Sequence, residues 1–538
     1  MDRGTRNGWG ARGLASRLLL SASSLALLAA ALPGPVHAVA PPVPAPSAPA
    51  SPLPSTPPPG SPAPSPAPTP SPAPTPTPTP VPTPTPAPTP TPAPSPLAGS
   101  RPDIVVILLD DVAEIDLRIW EVLPEISDLF LERGWRFTDY VGNDPLCCPG
   151  RAAFLTGQRT LDHGIFQNFA RNFDPRTTIA TELRKAGYHT IYSGKYFNET
   201  EAIGDKSPAG WDHSLIFSGS YFRTPFWVDG QKRYAGGDDE DYTTDVLTRQ
   251  ALRWLRQAPE EKPLLLMLTP FAAHSGLDAD GLSLGYWQPV PAPRHRGDRR
   301  CANIRHWSPP SYNEPDVSDK PAYIRELYGA PFAGGWPLTL TCESLLSVDE
   351  MLAEVRAELA RQGRTDVLFL LTADNGMGWG MNRWTDKRVP YAIPMPFYVS
   401  WEERLGTGPL RVRTTVTNMD VAPTLCELAG CEMGPFRNGK PVSGISFVPV
   451  LEDPGAPLGR TYTIHEHHTD RGQPRWLSVR TTRESPLGRW LYVRYETGET
   501  ELYDLENDPW LLENRSGEPA VRDVEEKLEK LVDGPFRM

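Results

Sequence analysis

After residue 32 the chain holds no uninterrupted apolar run as long as a bilayer requires, so it offers no membrane-spanning helix beyond its N-terminus. It also lacks any surplus of positive charge. The net charge is −12. The first forty residues carry four Arg and one Asp, and residues 41–100 carry no charge, which leaves −15 on the remaining 438. That balance argues against nucleic acid as a partner and obliges an anionic ligand to find a local cluster of positive charge. Cysteine is scarce. All six lie at or after position 147, so the N-terminus has no site for a lipid anchor. No internal repeat is present.

The N-terminus reads as a secretory signal peptide over 1–40. Arg3, Arg6, Arg12 and Arg17 precede an apolar stretch from Leu18 to Leu32, and small residues follow at Val36-His37-Ala38-Val39-Ala40. An uncleaved N-terminal anchor is the alternative. Residues 41–100 contain 28 prolines among Ala, Thr, Ser and Val. Such a segment cannot bury a core and favours extended polyproline II, reaching roughly 190 Å at about 3.1 Å per residue. It reads as a disordered spacer, and the product as secreted, extracellular or associated with the cell envelope. An exported chain can form disulfides. Cys426–Cys431 and Cys301–Cys342 are the simple pairs, leaving the Cys147-Cys148 dipeptide, whose short ring would strain a disulfide.

The last 438 residues suit one large α/β domain, 101–455, with a smaller C-terminal part, 456–538. Continuous aliphatic runs at Asp103–Leu109, His189–Tyr192, Pro263–Thr269 and Asp366–Thr372 predict buried strands of a mostly parallel sheet sandwiched by helices. Over Glu343–Gln362, Leu345, Val348, Leu352, Val355 and Leu359 fall on one helical face. Shorter runs at Trp476–Arg480, Arg489–Tyr495 and Glu501–Leu505 predict a small antiparallel sheet, with a final helix near Pro519–Val532.

Ligands of parallel sheets bind beyond the carboxyl ends of the strands. Two predicted strands end there in oxygen donors, Asp110-Asp111 and Asp374-Asn375. Either pair alone is equally a helix cap or a turn; together they make a hard-oxygen site for a divalent cation. The segment NDPLCCPGRAAFLTG places Cys147 near a helix N-terminus, a position that favours anions and activated nucleophiles, with Arg151 four residues on. A buried cysteine pair beside an Arg in a surface ion pair is the competing reading.

Cys147-Cys148-Pro149-Gly150-Arg151 with Leu155-Thr156-Gly157 resembles the signature of the sulfatase family, and the resemblance runs from Arg101 to Pro509. It implies an alkaline-phosphatase-like fold, oxidation of Cys147 to formylglycine by a formylglycine-generating enzyme, and Ca2+ held by Asp110, Asp111, Asp374, Asn375 and the modified residue 147. Lys195 in Ser193-Gly194-Lys195-Tyr196 matches a sulfate-binding Lys. His274 and Lys387 match active-site residues, and His163 resembles the last His of a His-Asn-His stretch whose first His is here Leu161. Gly150 stands where Ser or Ala is usual. Phe197-Asn198 after Lys195 looks like the glucosamine-6-sulfatase branch.

The implied chemistry is hydrolysis of a sulfate monoester. A hydrated aldehyde at 147 attacks sulfur, His274 or Lys387 protonates the leaving alcohol, and Arg151, Lys195 and Lys387 supply positive field. The implied substrate is a sulfated sugar or glycosaminoglycan, with aryl sulfates as surrogates. A phosphate or phosphonate monoester hydrolase, and a non-catalytic anion- or glycan-binding protein with unmodified Cys147, are the alternatives.

Overall fold

The computed structural model describes residues 96–114, 118–169, 171–203, 206–468 and 471–533. The expected signal peptide and most of the expected spacer lie outside the described residues. No helix among the described residues is long and apolar enough to cross a membrane.

The aliphatic runs form the centre of a ten-stranded sheet. Asp103–Leu109, His189–Lys195, Leu264–Thr269 and Val367–Ala373 are buried along their whole length, as strands covered on both faces must be. They pair in parallel, with Val105 opposite both Leu266 and Phe369 and Ile191 opposite Leu266. His213–Phe217 extends the parallel set. On one side the antiparallel strand Phe397–Ser400 is followed by Trp135–Phe137 and the edge strand Leu410–Val412, and on the other the antiparallel Pro225–Val228 and Gln231–Tyr234 hairpin closes the margin. The second strand runs three residues further than its aliphatic run suggested, so Lys195 is its last residue.

The long helix spans Thr339–Arg361, one turn earlier than its apolar face indicated. That extra turn carries Cys342, which is bonded to Cys301. Cys426 pairs with Cys431, and Cys147 and Cys148 remain as buried thiols.

The C-terminal sheet has four antiparallel strands rather than three: Tyr462–His467, Trp476–Thr481, Trp490–Tyr495 and Thr500–Asp504. The strand missed in the sequence reads YTIHEH, whose polar residues hide its burial; His465, Glu466 and His467 are nevertheless all buried. The final helix, Arg522–Asp533, packs Leu528 and Val532 against Leu477, Val479 and Tyr492.

Candidate active site

The parallel strands deliver their termini to one edge. Asp110 and Asp111 follow the first strand, Lys195 ends the second, His274 lies five residues past the third, and Asp374 and Asn375 follow the fourth. Cys147 opens the buried helix Cys147–Thr156. Pro149 sits in its first turn, where the missing N–H has no intrahelical partner to lose. A Cβ on Gly150 would lie 2.1 Å from the carbonyl oxygen of Asp374, so glycine lets the helix seat directly against the Asp374 turn. That contact explains why neither Ser nor Ala occupies position 150 here.

Lys387 Nζ lies 2.8 Å from Cys147 Sγ and also donates to Asp111 Oδ1. Asn168 Nδ2 approaches Sγ at 3.6 Å, while its Oδ1 accepts the Cys148 N–H at 3.0 Å. Lys195 Nζ pairs with Asp110 Oδ2 at 2.6 Å and lies over the Phe271 ring. His274 Nε2 faces Asp111 Oδ2 at 3.2 Å, its Nδ1 meets the Ser275 carbonyl at 2.6 Å, and its side chain is 21% exposed. The donors of Arg151 go to neighbours other than Sγ: Nε donates to Asp374 Oδ2 at 2.8 Å and Nη1 to the Lys195 carbonyl at 2.6 Å, with Nη2 3.5 Å from Asp110. Tyr192 and Thr269 hydroxyls donate to that same carbonyl. Arg151 thus ties three strand ends together.

His163 is placed differently. Its Nδ1 accepts the Ile165 N–H at 3.1 Å, and the ring lines a separate cavity of about 150 Å³ with Gln158, Phe173 and Asn438. Burial pushes its pKa down to about 3, so it stays neutral.

Three buried cations, Arg151, Lys195 and Lys387, face three buried carboxylates, Asp110, Asp111 and Asp374. Burial opposes ionisation of Asp110, but Lys195, His274 and Arg151 together hold its carboxyl well below the usual range. For Asp111, Lys387 and His274 likewise outweigh burial. Asp374 goes the other way, raised by burial and by the charge of Asp110. Burial also pushes the Cys147 thiol up to about 11 against the pull of Lys195 and Lys387, so an unmodified thiol stays protonated at neutral pH.

The oxygen donors fit a hard divalent cation. Asp110 Oδ1 and Asn375 Oδ1 are buried without a hydrogen-bond partner. Asn375 Nδ2 donates to Asp111 Oδ1 and the Gly376 carbonyl, both at 2.8 Å, which fixes the amide orientation. One potential ligand atom from each of Asp110, Asp111, Cys147 and His274 falls within 4.8 Å of the others. Carboxylate and amide oxygens in this number suit Ca2+. Asp111 takes φ +58 while its N–H donates to Asp374 Oδ1 at 3.2 Å, a strained residue held where the donors converge.

Sequence reasoning overlooked Asn168, which sits in a loop with no local signal. It also overlooked the C-terminal sheet as a brace. His465 Nδ1 meets the Gly142 carbonyl at 2.7 Å, the Glu466 N–H donates to the Asn143 carbonyl at 2.9 Å, and His467 Nδ1 meets Asp144 Oδ1 at 3.1 Å. These contacts hold the residues leading into Cys147. The Lys387 loop is held in the same way. Trp379, Asn382, Arg383 and Arg388 all have positive φ, a backbone that costs roughly 1–3 kcal/mol per residue. Trp476 Nε1 donates to the Arg388 carbonyl at 2.8 Å, and the buried Glu501 accepts hydroxyls from Tyr391, Tyr495 and Tyr503. The His-Glu-His-His run at 465–468 was the available signal.

The Sulfatase family model matches residues 102–431, and a model described as the C-terminal region of N-sulphoglucosamine sulphohydrolase matches residues 380–534. The chain is 28% identical over 374 residues to an N-acetylglucosamine-6-sulfatase of Capra hircus, covering 65% of this chain and 64% of that relative's length. It is 23% identical over 499 residues to an N-acetylglucosamine-6-O-sulfatase of Bacteroides thetaiotaomicron, covering 81% and 86%. Among solved structures, a protein in complex with its substrate D-glucosamine-2-N,6-O-disulfate superposes with TM-score 0.65 at 21% identity, over 81% of this chain and 97% of that one. At that identity the likeness shows the fold.

Proposed function

Because the chain belongs to the sulfatase family, we propose that it hydrolyses sulfate monoesters of a sulfated sugar of the N-acetylglucosamine-6-sulfate type, with residue 147 as formylglycine and a bound Ca2+. The observation that carries this reading is Cys147 itself. It lies buried at a helix start, 2.8 Å from Lys387 Nζ, yet its thiol is pushed up to about 11. The cysteine is thus poorly suited to act as a thiolate, and oxidation to the aldehyde by a formylglycine-generating enzyme resolves that mismatch. When present, a formylglycine hydrate supplies an oxygen nucleophile for sulfur, and Ca2+ supplies Lewis acidity and two positive charges.

The chain's own residues then have separable tasks. Asp110, Asp111, Asp374 and Asn375 hold the ion, and Arg151 orients Asp110 and Asp374. Lys195 and Lys387 bring positive charge to an ester anion inside an otherwise acidic protein. His274, the more exposed of these groups, would hand a proton to the departing alcohol oxygen from its charged form, which burial opposes and Asp111 favours. Neutral His163 is left with a role in the neighbouring wall. Residues 101–455 would carry the chemistry and 456–538 support it. The overlap of the C-terminal family match with the Lys387 loop favours treating these two parts as one working unit. The two disulfides accord with export.

The test is the mass of the tryptic peptide Phe137–Arg151 from secreted protein treated with a thiol-alkylating reagent. One alkylated cysteine plus an aldehyde or its hydrate at 147 is expected. Two alkylated cysteines in protein that hydrolyses 4-nitrophenyl sulfate would sink the formylglycine mechanism.

A further inference from the structure

Four separate chain segments meet around a cavity of about 270 Å³ that shares no lining residue with the candidate active site: Arg118-Ile119, Ile304–Pro310, Leu338 and Trp510. Its size is below the roughly 300–1,000 Å³ typical of pockets for drug-sized ligands, which suits a single sugar ring. Its walls are unusual for a protein whose folded part carries −15. Arg118, Arg305 and His306 line it, and none of its lining residues is acidic. Arg305 and His306 are exposed and make no ion pair or hydrogen bond among the described residues. Two tryptophans provide the apolar surface. Trp307 and Trp510 stand edge to face, with ring centroids 5.8 Å apart and an interplanar angle of 62°. The indole N–H of Trp307 is buried and finds no acceptor among the described residues. The backbone of Trp307 is tied to that of Trp336 by a reciprocal pair of hydrogen bonds, at 2.8 and 2.7 Å.

We propose that this cavity is an accessory binding site for a sulfated saccharide, seating a sugar ring on Trp307 and Trp510 and its anionic group on Arg305 and His306. The C–H face of a pyranose is apolar and packs on indole. The guanidinium fork matches the paired oxygens of a sulfate, as it does those of carboxylate and phosphate. Preorganised aromatic walls reduce the ordering cost of binding. The site would tether a chain whose cleavable ester lies elsewhere on the protein. It rests on the proposed activity only for the choice of sulfate as the anion.

The experiment measures binding of a heparin hexasaccharide to the full chain by calorimetry at low ionic strength, alongside turnover of 4-nitrophenyl sulfate. Arg305→Glu and Trp510→Ala should each weaken hexasaccharide binding at least tenfold while small-substrate turnover stays within twofold of the parent. Trp510→Phe, which keeps an aromatic face, should retain most of the affinity. Parental affinity in either of the first two variants overturns the site. Equal binding of maltohexaose overturns the anionic component, and equal binding of a hyaluronan hexasaccharide overturns the commitment to sulfate. Hexasaccharide binding that is lost in the variants of a protein that turns over no sulfate ester upholds this site while rejecting the proposed activity.

Discussion

The ten-stranded and four-stranded sheets do opposite things with buried surface. In the large sheet the central strands are mainly aliphatic and the ionic groups of the site gather at or just past their carboxyl ends, at Asp110, Lys195 and Asp374. In the C-terminal sheet the polar groups lie within the strands: His465, Glu466, His467 and Glu501 are buried side chains in mid-strand or at strand ends. Burying such groups is costly unless each is matched. The histidines are matched by the segment leading into Cys147, Glu466 by the Leu161 N–H, and Glu501 by tyrosines that include Tyr391 beyond Lys387. The large sheet thus gathers the groups of the proposed chemistry, while the small one uses its polar side chains to hold neighbouring loops.

The sharpest way to break this comparison is to remove a reacting group from its loop while leaving the braces intact. Lys387→Met should lower kcat/KM for 4-nitrophenyl sulfate about 10²- to 10³-fold, the scale of losing one charge-stabilising donor. The thermal midpoint should fall only as far as the loss of the buried Asp111 partner requires, because the loop keeps Trp476, Tyr391 and Glu501. Turnover within a few fold of the parent would remove Lys387 from the chemistry.

A brace should behave differently. Glu501→Gln leaves a tyrosine hydroxyl facing an amide N–H in a fully buried cluster, at a cost of about 1–3 kcal/mol. Through Tyr391 it should lower kcat about tenfold with KM nearly unchanged, whereas a purely structural role would lower the thermal midpoint and leave kcat per folded molecule intact. Glu501→Asp, which retains a carboxyl group, should recover part of the rate.

An effect on stability alone, with no expected change in turnover, concerns pH. Burial pushes the Glu466 carboxyl up to about 7 while it accepts the Leu161 N–H at 3.0 Å. Because the fold favours the protonated acid, its contribution is complete below the ordinary glutamate value of 4.5 and is lost as pH rises towards 7. The amount is about 3 kcal/mol at 1.36 kcal/mol per pH unit. Denaturant unfolding of Glu466→Gln from pH 4.5 to 7 should lack that decline relative to the parent. Parallel stability curves for the two proteins would place the ionisation elsewhere.

Legibility in the sequence followed the kind of signal each region carries. The four aliphatic strands and the helix around Leu345 to Leu359 were readable because apolar periodicity is local, and errors were confined to their ends. Both disulfides were readable as the simplest pairings. The strand Tyr462–His467 was not, since its histidines and glutamate earn their burial from partners more than 300 residues away. Arg151 shows the same limit. Its place four residues after Cys147 suggested a charge directed at the sulfur, but the acids and the Lys195 carbonyl claim its donors.

By itself the sequence determined which strands are buried and that oxygen donors, lysines and Cys147 follow their carboxyl ends, because residue type and short spacing suffice for both. The tertiary structure alone decided that Gly150 must lack a side chain against Asp374, that Asn168 reaches Cys147, and that Trp476 and Glu501 secure the loop of Lys387. Those are contacts between distant segments, and their energies depend on distance and burial, which no local pattern of residues encodes.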